Sequence, residues 1–384
     1  MRMSLFSFSV PQNITFGRGS LDKIPEAVGK MEANKAFIVS GPHLNKAGLV
    51  DLVASILKEA GIESERFTET EGNPSTDTVE KAAVCFKDSG ADMIVALGGG
   101  SPLDVAKAVA VVGTYGGKIT DYEGVGKVPG PVVPMLAIPT TAGTGSEVTA
   151  FSVITDHERN YKLTVGSNYI LPEAVILDPE LISSVPAKTA AYCGVDALVH
   201  ALESYISLAS SPFSDAMALK ALELIGKNLK AYAANRSDAE AAEGMLLGSL
   251  FAGIAFSHAR LGNVHAMSHP VSAFFDVPHG LANAVILPTV VEFNSEADRG
   301  KYYEIYRRIS VNPVPKELFS TYMLAVELRL LNEALGIPDS LEKVGVDENR
   351  IEAMAADAMK SGNITVNPRK TTEEDIISLY KMAI

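Results

Sequence analysis

The chain has 384 residues, 47% of them hydrophobic and 21% charged, which is enough for two buried cores and too apolar for a disordered chain. A formal net charge of -13 argues against nucleic acid or an anionic membrane surface as a partner, so an anionic ligand would depend on local backbone N–H groups. Two cysteines far apart, Cys85 and Cys193, point to reduced thiols and a cytoplasmic address, and they exclude a thiolate-rich zinc site.

The opening stretch carries a short apolar run broken by serines and stopped by Pro11, a poor match to a secretory signal. Residues 13–16 and the turn at 16–19 read as an edge strand or hairpin. From there the first half alternates. β-rich runs at 36–40, 92–97, 134–139 and 174–178 are separated by amphipathic segments such as 48–60 and 76–87. Continuously apolar strands between helices predict a parallel sheet covered on both faces, a Rossmann-like α/β architecture. After Pro186 no strand pattern returns, and long helical runs appear at 187–208, 215–234 and 239–256. The longest apolar run, 245–256, is shorter than the roughly 20 residues a spanning helix needs, so it reads as a buried helix. The expected domains are an α/β dinucleotide-binding half, 1–184, and an all-helical half, 185–384.

Two loops in the first half carry a ligand signal. Directly after the strand at 92–97 come Gly98, Gly99, Gly100 and Ser101. Glycines allow close backbone approach, Ser101 suits an N-cap and Pro102 the first helical position. Free N–H groups at such a helix start suit a pyrophosphate. Taken alone, the loop is equally compatible with a plain strand-to-helix turn. The second loop, Thr140-Thr-Ala-Gly-Thr-Gly-Ser-Glu147, follows the next apolar strand, and two such loops at the ends of neighbouring parallel strands favour a nucleotide. The end of the first strand, where an acid would accept ribose hydroxyls and an arginine a 2′-phosphate, offers Ser40 and Gly41 instead. NAD and NADP both stay open.

The second half supplies a metal signal. Asp196 and His200 are four apart in one apolar helical run, His265 and His269 are four apart in another, and His279 follows Pro278. Spacing of four puts each pair on one helix face. Imidazoles and a carboxylate among Val, Ala, Leu and Phe are the material of a buried divalent-metal site, because coordination satisfies groups that burial would otherwise leave unpaired. These five groups exceed one four-coordinate site, so either all bind or one does proton work. Glu203 reads as a carboxylate behind the ligands or on the helix surface, and His43, His157 and His258 as solvated.

Taken together, Gly-Gly-Gly-Ser-x-x-Asp at 98–104, Thr-Thr-Ala-Gly-Thr-Gly-Ser-Glu at 140–147, Gly-Val-Asp-Ala-Leu-x-His at 194–200, His-Ala-Met-Ser-His at 265–269 and Pro-His-Gly-x-x-Asn at 278–283 resemble the iron-containing (group III) alcohol dehydrogenases, which include lactaldehyde, 1,3-propanediol and methanol dehydrogenases. The likeness runs from Asn73-Pro-Ser-Thr to Asn367-Pro-Arg. It implies Asp196, His200, His265 and His279 as metal ligands, Fe2+ first and Zn2+ second, with His269 the non-ligand beside the nicotinamide. It implies Gly41, Asn73, Gly98, Gly99, Gly100, Ser101, Asp104, Thr140, Thr141, Thr144 and Lys162 as cofactor-binding positions for NAD or NADP. The expected activity is hydride transfer between a small primary alcohol or diol and nicotinamide, in a homodimer or larger assembly. Two departures stand out: Gly41 where many NAD-specific members carry Asp, and Pro270-Val271-Ser272 where Leu-Gly is common. Zinc-dependent glycerol dehydrogenases, dehydroquinate synthase-like lyases and a non-enzymatic nucleotide- or metal-binding protein are the alternatives. The lyase must grip a phosphate and a carboxylate, and residues 262–288 contain neither Arg nor Lys.

Overall fold

The structure is a computed structural model and describes residues 5–159 and 161–384. It divides into two compact units, Pro11–Val185 and Pro186–Ile384, with residues 5–10 grouping with the second. That segment does not join the α/β half as its sequence position suggests. Phe8 stacks against Phe213 and His258, and the Ser9 carbonyl oxygen lies 3.1 Å from His258 Nε2. His258 is therefore half-buried and partnered, not solvated, and burial lowers its pKa. His43 and His157 are exposed, as expected.

The first unit holds the strands β1 (Asn13–Phe16), β2 (Lys35–Val39), β3 (Glu63–Phe67), β4 (Met93–Gly98), β5 (Gly124–Val125), β6 (Met135–Pro139), β7 (Phe151–Asp156), β8 (Tyr161–Gly166) and β9 (Ala174–Leu177). Six of them form one all-parallel sheet in the order β1-β9-β6-β4-β2-β3. β1 is thus an edge strand and not part of a hairpin. β4 and β6 are wholly buried, as continuous apolar runs covered on both faces must be. β3, Glu-Ser-Glu-Arg-Phe, was hidden from the pattern: it is the opposite edge, and its charges face outward, a common way of blunting an exposed sheet edge. A second, smaller sheet pairs β7 with β8 antiparallel, from Phe151–Gly166 to Asp156–Tyr161, and adds β5 alongside β8.

Helices α1 (Ile24–Gly29), α2 (Pro42–Lys46), α3 (Leu49–Glu59), α4 (Thr76–Ser89) and α5 (Gly100–Tyr115) connect these strands. The chain runs from β2 outward to β3 and then returns across to β4. The C-terminal ends of β2 and β4 therefore flank a topological switch point, where open α/β sheets bind ligands.

The second unit is built on α6 (Ala187–Ile206), α7 (Pro212–Ala234), α8 (Ala239–Ala259), α9 (Asn263–Phe275) and α10 (His279–Asn294). Around these lie α11 (Lys301–Ile309), α12 (Thr321–Ala334), α13 (Ile351–Ala358) and α14 (Glu373–Ala383). Pro212 occupies the first position of α7 behind a Ser211 cap, and Asp238 caps α8. α8 is long and apolar enough to cross a membrane, but 67% of that stretch is buried against the rest of the protein, and it packs on α6 and α7. α10 packs on both α6 and α9, and so joins the other two helices that carry the histidines of interest.

Candidate functional site

In the α/β unit the two glycine- and hydroxyl-rich loops are adjacent, because β4 and β6 pair with Gly98 opposite Pro139. Thr140 N–H donates to the Gly98 carbonyl at 2.9 Å. The contacts between the loops explain their glycines. A Cβ at Gly100 would come within 2.6 Å of Thr144 Cγ2, and one at Gly99 within 3.1 Å of Thr141 Oγ1. The expected N-cap shifts, however. α5 begins at Gly100 with Gly99 as its cap and no side chain capping it, because the turn at Gly98, φ 149°, leaves only one residue before the helix. Ser101 lies inside the first turn, and its hydroxyl donates to the Gly72 carbonyl at 2.7 Å. An uncapped helix start beside two threonines retains the donors that a pyrophosphate needs.

Next to Gly72, Asn73 Oδ1 accepts from Lys162 Nζ at 3.0 Å, so the β7–β8 hairpin brings together two positions 89 residues apart. Gly41 follows β2, and a Cβ there would meet only the Thr70 carbonyl oxygen, at 3.3 Å. Asp104 is turned to a supporting task. Its Oδ1 accepts from Ser146 Oγ at 2.6 Å and its Oδ2 from Val153 N at 3.2 Å. Burial raises its pKa against the opposing pull of Lys107 and these hydrogen bonds.

Sequence reasoning passed over Lys107, three residues further along α5. It is 0% exposed, and its Nζ donates to the carbonyl oxygens of Ser146, Thr149 and Phe151 at 2.6, 2.9 and 2.8 Å. A lone buried ammonium would be costly, but here the backbone of the second loop solvates it. Burial still lowers it to about 8, against the pull of Asp104 and Glu147. Burial lifts Glu147, on the same loop, to about 7. The loop's shape is set from beneath by this buried charge cluster.

In the helical unit, α6 carries Asp196 and His200, α9 His265, and α10 His279 at its first turn. A Cβ at Gly280 would lie 2.2 Å from the Tyr192 carbonyl oxygen, so glycine there lets the start of α10 approach α6. The imidazole Nε2 atoms of His200, His265 and His279 lie 3.8, 3.7 and 3.7 Å from the same oxygen, Asp196 Oδ1. One ligating atom each from Asp196, His265 and His279 falls within 4.8 Å of the others. His200 joins through Asp196 and stacks on His265, ring centroids 4.6 Å apart. Tetrahedral ligands at about 2.1 Å from an ion are separated by about 3.4 Å, so these spacings are a few tenths of an ångström wide of a closed shell. A donor set of three imidazoles and one carboxylate suits divalent Fe or Zn.

The four groups are strongly coupled electrostatically. Burial would raise the Asp196 carboxyl, but His200, His265 and His279 together hold it well below the usual carboxylate range. Burial would likewise depress His265, yet Asp196 and Glu203 outweigh it and push it up to about 9. Glu203, 1% exposed, is a carboxylate behind the donors and not a surface group. Its Oε2 lies 2.7 Å from His265 Nδ1, and Oε1 accepts from Val264 N at 2.7 Å. The same side chain caps α9 and fixes the His265 ring. His279 is the most accessible donor, its side chain 26% exposed against 5% or less for the other three. His269 is half-buried, its ring centroid 5.2 Å from that of His279 and 6.2 Å from that of His265. α9 runs through Pro270 without interruption.

Candidate divalent-cation donors in one unit, and two adjacent glycine- and hydroxyl-rich loops beside the sheet's switch point in the other, are the features of a class, the nucleotide-linked metal-dependent dehydrogenases. Profiles of known families match in succession: iron-containing alcohol dehydrogenase over residues 11–179, and the C-terminal region of the Fe-containing alcohol dehydrogenase family over residues 190–384. The chain belongs to the iron-containing alcohol dehydrogenase family. It is 37% identical to the NAD-dependent methanol dehydrogenase of Bacillus methanolicus, over 98% of this chain and 100% of that one. It is also 37% identical to the 1,3-propanediol dehydrogenase of Klebsiella pneumoniae, with both chains covered completely. A solved 1,3-propanediol oxidoreductase superposes with a TM-score of 0.94 at 37% identity, covering 99% of this chain and 100% of the other.

Proposed function

We propose that the protein is a divalent-metal-dependent, NAD(P)-linked alcohol dehydrogenase and aldehyde reductase acting on small primary alcohols or diols. The observation that carries this reading is the convergence of three imidazole nitrogens on one carboxylate oxygen, Asp196 Oδ1, at 3.7–3.8 Å. Asp196, His200, His265 and His279 would hold the ion, Fe2+ by family and Zn2+ by donor chemistry. When bound, such an ion supplies Lewis-acid polarisation of an alcohol or carbonyl oxygen. Three neutral imidazoles and one carboxylate leave it a net positive charge that thiolates would have cancelled.

The chain's own residues do the rest. Glu203 fixes the His265 ring, and His269, one turn beyond His265, moves the proton. Gly98 to Ser101 and Thr140 to Thr144 receive the pyrophosphate, with Asn73 and Lys162 beside them. Gly41 leaves room for either cofactor. The relatives' names motivate small alcohols as substrates, and the lack of Arg and Lys across 262–288 suits an uncharged one. The two cysteines, neither of them in a disulfide, support a cytoplasmic address, and family membership supports a homo-oligomer.

Protein loaded with Fe2+ or Zn2+ under anaerobic conditions should oxidise short alcohols with NAD+ or NADP+. His265→Ala should lose both bound metal and turnover; turnover with no metal bound would overturn the reading. His269→Ala should lower the rate and change the pH profile with metal content intact, and unchanged kinetics would remove the proton role.

A further inference from the structure

We propose that Lys107 is a positioning residue for the nucleotide: from inside the α/β unit its ammonium holds the second loop in register with the helix start that follows the first. The inference rests on the nucleotide reading above. Lys107 sits on α5 about two turns beyond Gly100. Its Nζ has five oxygens within hydrogen-bond reach, all from residues 146–151. Three are the backbone carbonyls of Ser146, Thr149 and Phe151. The other two are the hydroxyls of Ser146 and Thr149, at 2.9 and 3.2 Å. An ammonium carries three N–H donors, so these oxygens share them and none is left over.

The Ser146 hydroxyl extends the link. It donates to Asp104 Oδ1 at 2.6 Å and therefore accepts from Lys107. Asp104 and Lys107, three apart on one face of α5, grip the same side chain. Ser152 Oγ adds a bond to the Asp104 carbonyl at 2.7 Å. In the other direction, Ser146 N donates to Thr144 Oγ1 at 3.3 Å, and Thr144 is the side chain that a Cβ at Gly100 would strike. A path of contacts thus leaves α5 at Lys107, passes through Ser146 and Thr144, and returns to α5 at its first residue.

Fold stability alone does not call for a charge here. Val105, Ala106, Ala108 and Val109 beside it on α5 are apolar and fully buried, and an ammonium costs more to bury than an apolar side chain of similar length. What the charge supplies is a shape for irregular backbone. Residues 140–150 form only one short 3-10 turn, Ser146–Val148, so no helix or strand ladder holds them in place. Lys107 gathers the Ser146 and Thr149 carbonyls round one centre, which fixes where Thr144 stands relative to Gly100.

The test measures NADH and NADPH binding by fluorescence titration in full-length protein supplied with Zn2+, comparing wild type, Lys107→Met and Leu57→Ala. Methionine keeps the length of the side chain and removes its charge and donors. Leu57, 0% exposed, is a control for lost stability, since it lies at the end of α3 that leads into β3, across the sheet from both loops. Lys107→Met should bind each nucleotide about 10–100-fold more weakly, with the number of sites per folded chain unchanged. Leu57→Ala should keep the wild-type Kd. A merely structural lesion would lower the number of sites and leave Kd alone, so a Kd in Lys107→Met within about twofold of wild type would overturn the positioning role. Wild type that binds neither nucleotide would overturn the nucleotide reading itself. Should Lys107→Met fail to fold, Lys107→Gln keeps a polar end with N–H donors on a shorter side chain. It should also raise Kd, and an unchanged Kd would overturn the inference.

Discussion

At the scale of single residues, helical periodicity put Asp196 and His200 on one face of one helix, but it paired His265 with His269 just as well, and only the family resemblance set His265 and His279 apart as candidate donors. His258 read as solvated because its partners Phe8 and Ser9 are about 250 residues away. Glu203 shows how one side chain serves two purposes, capping α9 and bonding His265. Glu203→Gln should weaken Zn2+ binding about tenfold and cost about 1–3 kcal/mol of stability, read from chelator competition and urea unfolding. A loss of stability with unchanged metal affinity would reduce Glu203 to a cap. At Gly41 the backbone is ordinary, φ -102°, so Asp fits without backbone strain. Gly41→Asp should lower the use of NADPH relative to NADH, and an unchanged ratio of kcat/KM would place the discriminating position elsewhere.

At the scale of elements, the legible strands were those with continuous apolar runs, β2, β4, β6 and β9. β3 and the β7–β8 hairpin were not, because edge and two-faced strands carry polar residues that mimic loops. The second loop depends on an element beneath it. Glu147 has a folded pKa of about 7 against 4.5 unfolded, so the folded state binds more protons between those values. Its contribution is fully present below about 4.5 and is lost as pH rises through about 7, a span worth up to about 3 kcal/mol. The stability of wild type relative to Glu147→Gln should therefore fall between pH 5 and pH 7.5 in urea unfolding. A difference independent of pH would contradict the buried-carboxyl account. Gly100→Ala drives a methyl against Thr144 and should raise the KM for the nucleotide while costing about 1–3 kcal/mol. An unchanged KM would mean that the two loops do not act together.

At the scale of the whole molecule, the change of texture near Pro186 was visible because parallel strands and long helices have different periods, whereas the membership of residues 5–10 was not, being decided by packing. The family profiles cover both halves in order, and the claim that unites the observations concerns one cation. Crystals of metal-loaded protein, measured at the absorption edge of the bound ion, locate that cation directly. The account predicts one anomalous peak in the helical unit, about 2.0–2.3 Å from Asp196 and the Nε2 atoms of His200, His265 and His279. A peak held by other residues, or none in protein that metal analysis shows to be loaded, would contradict it.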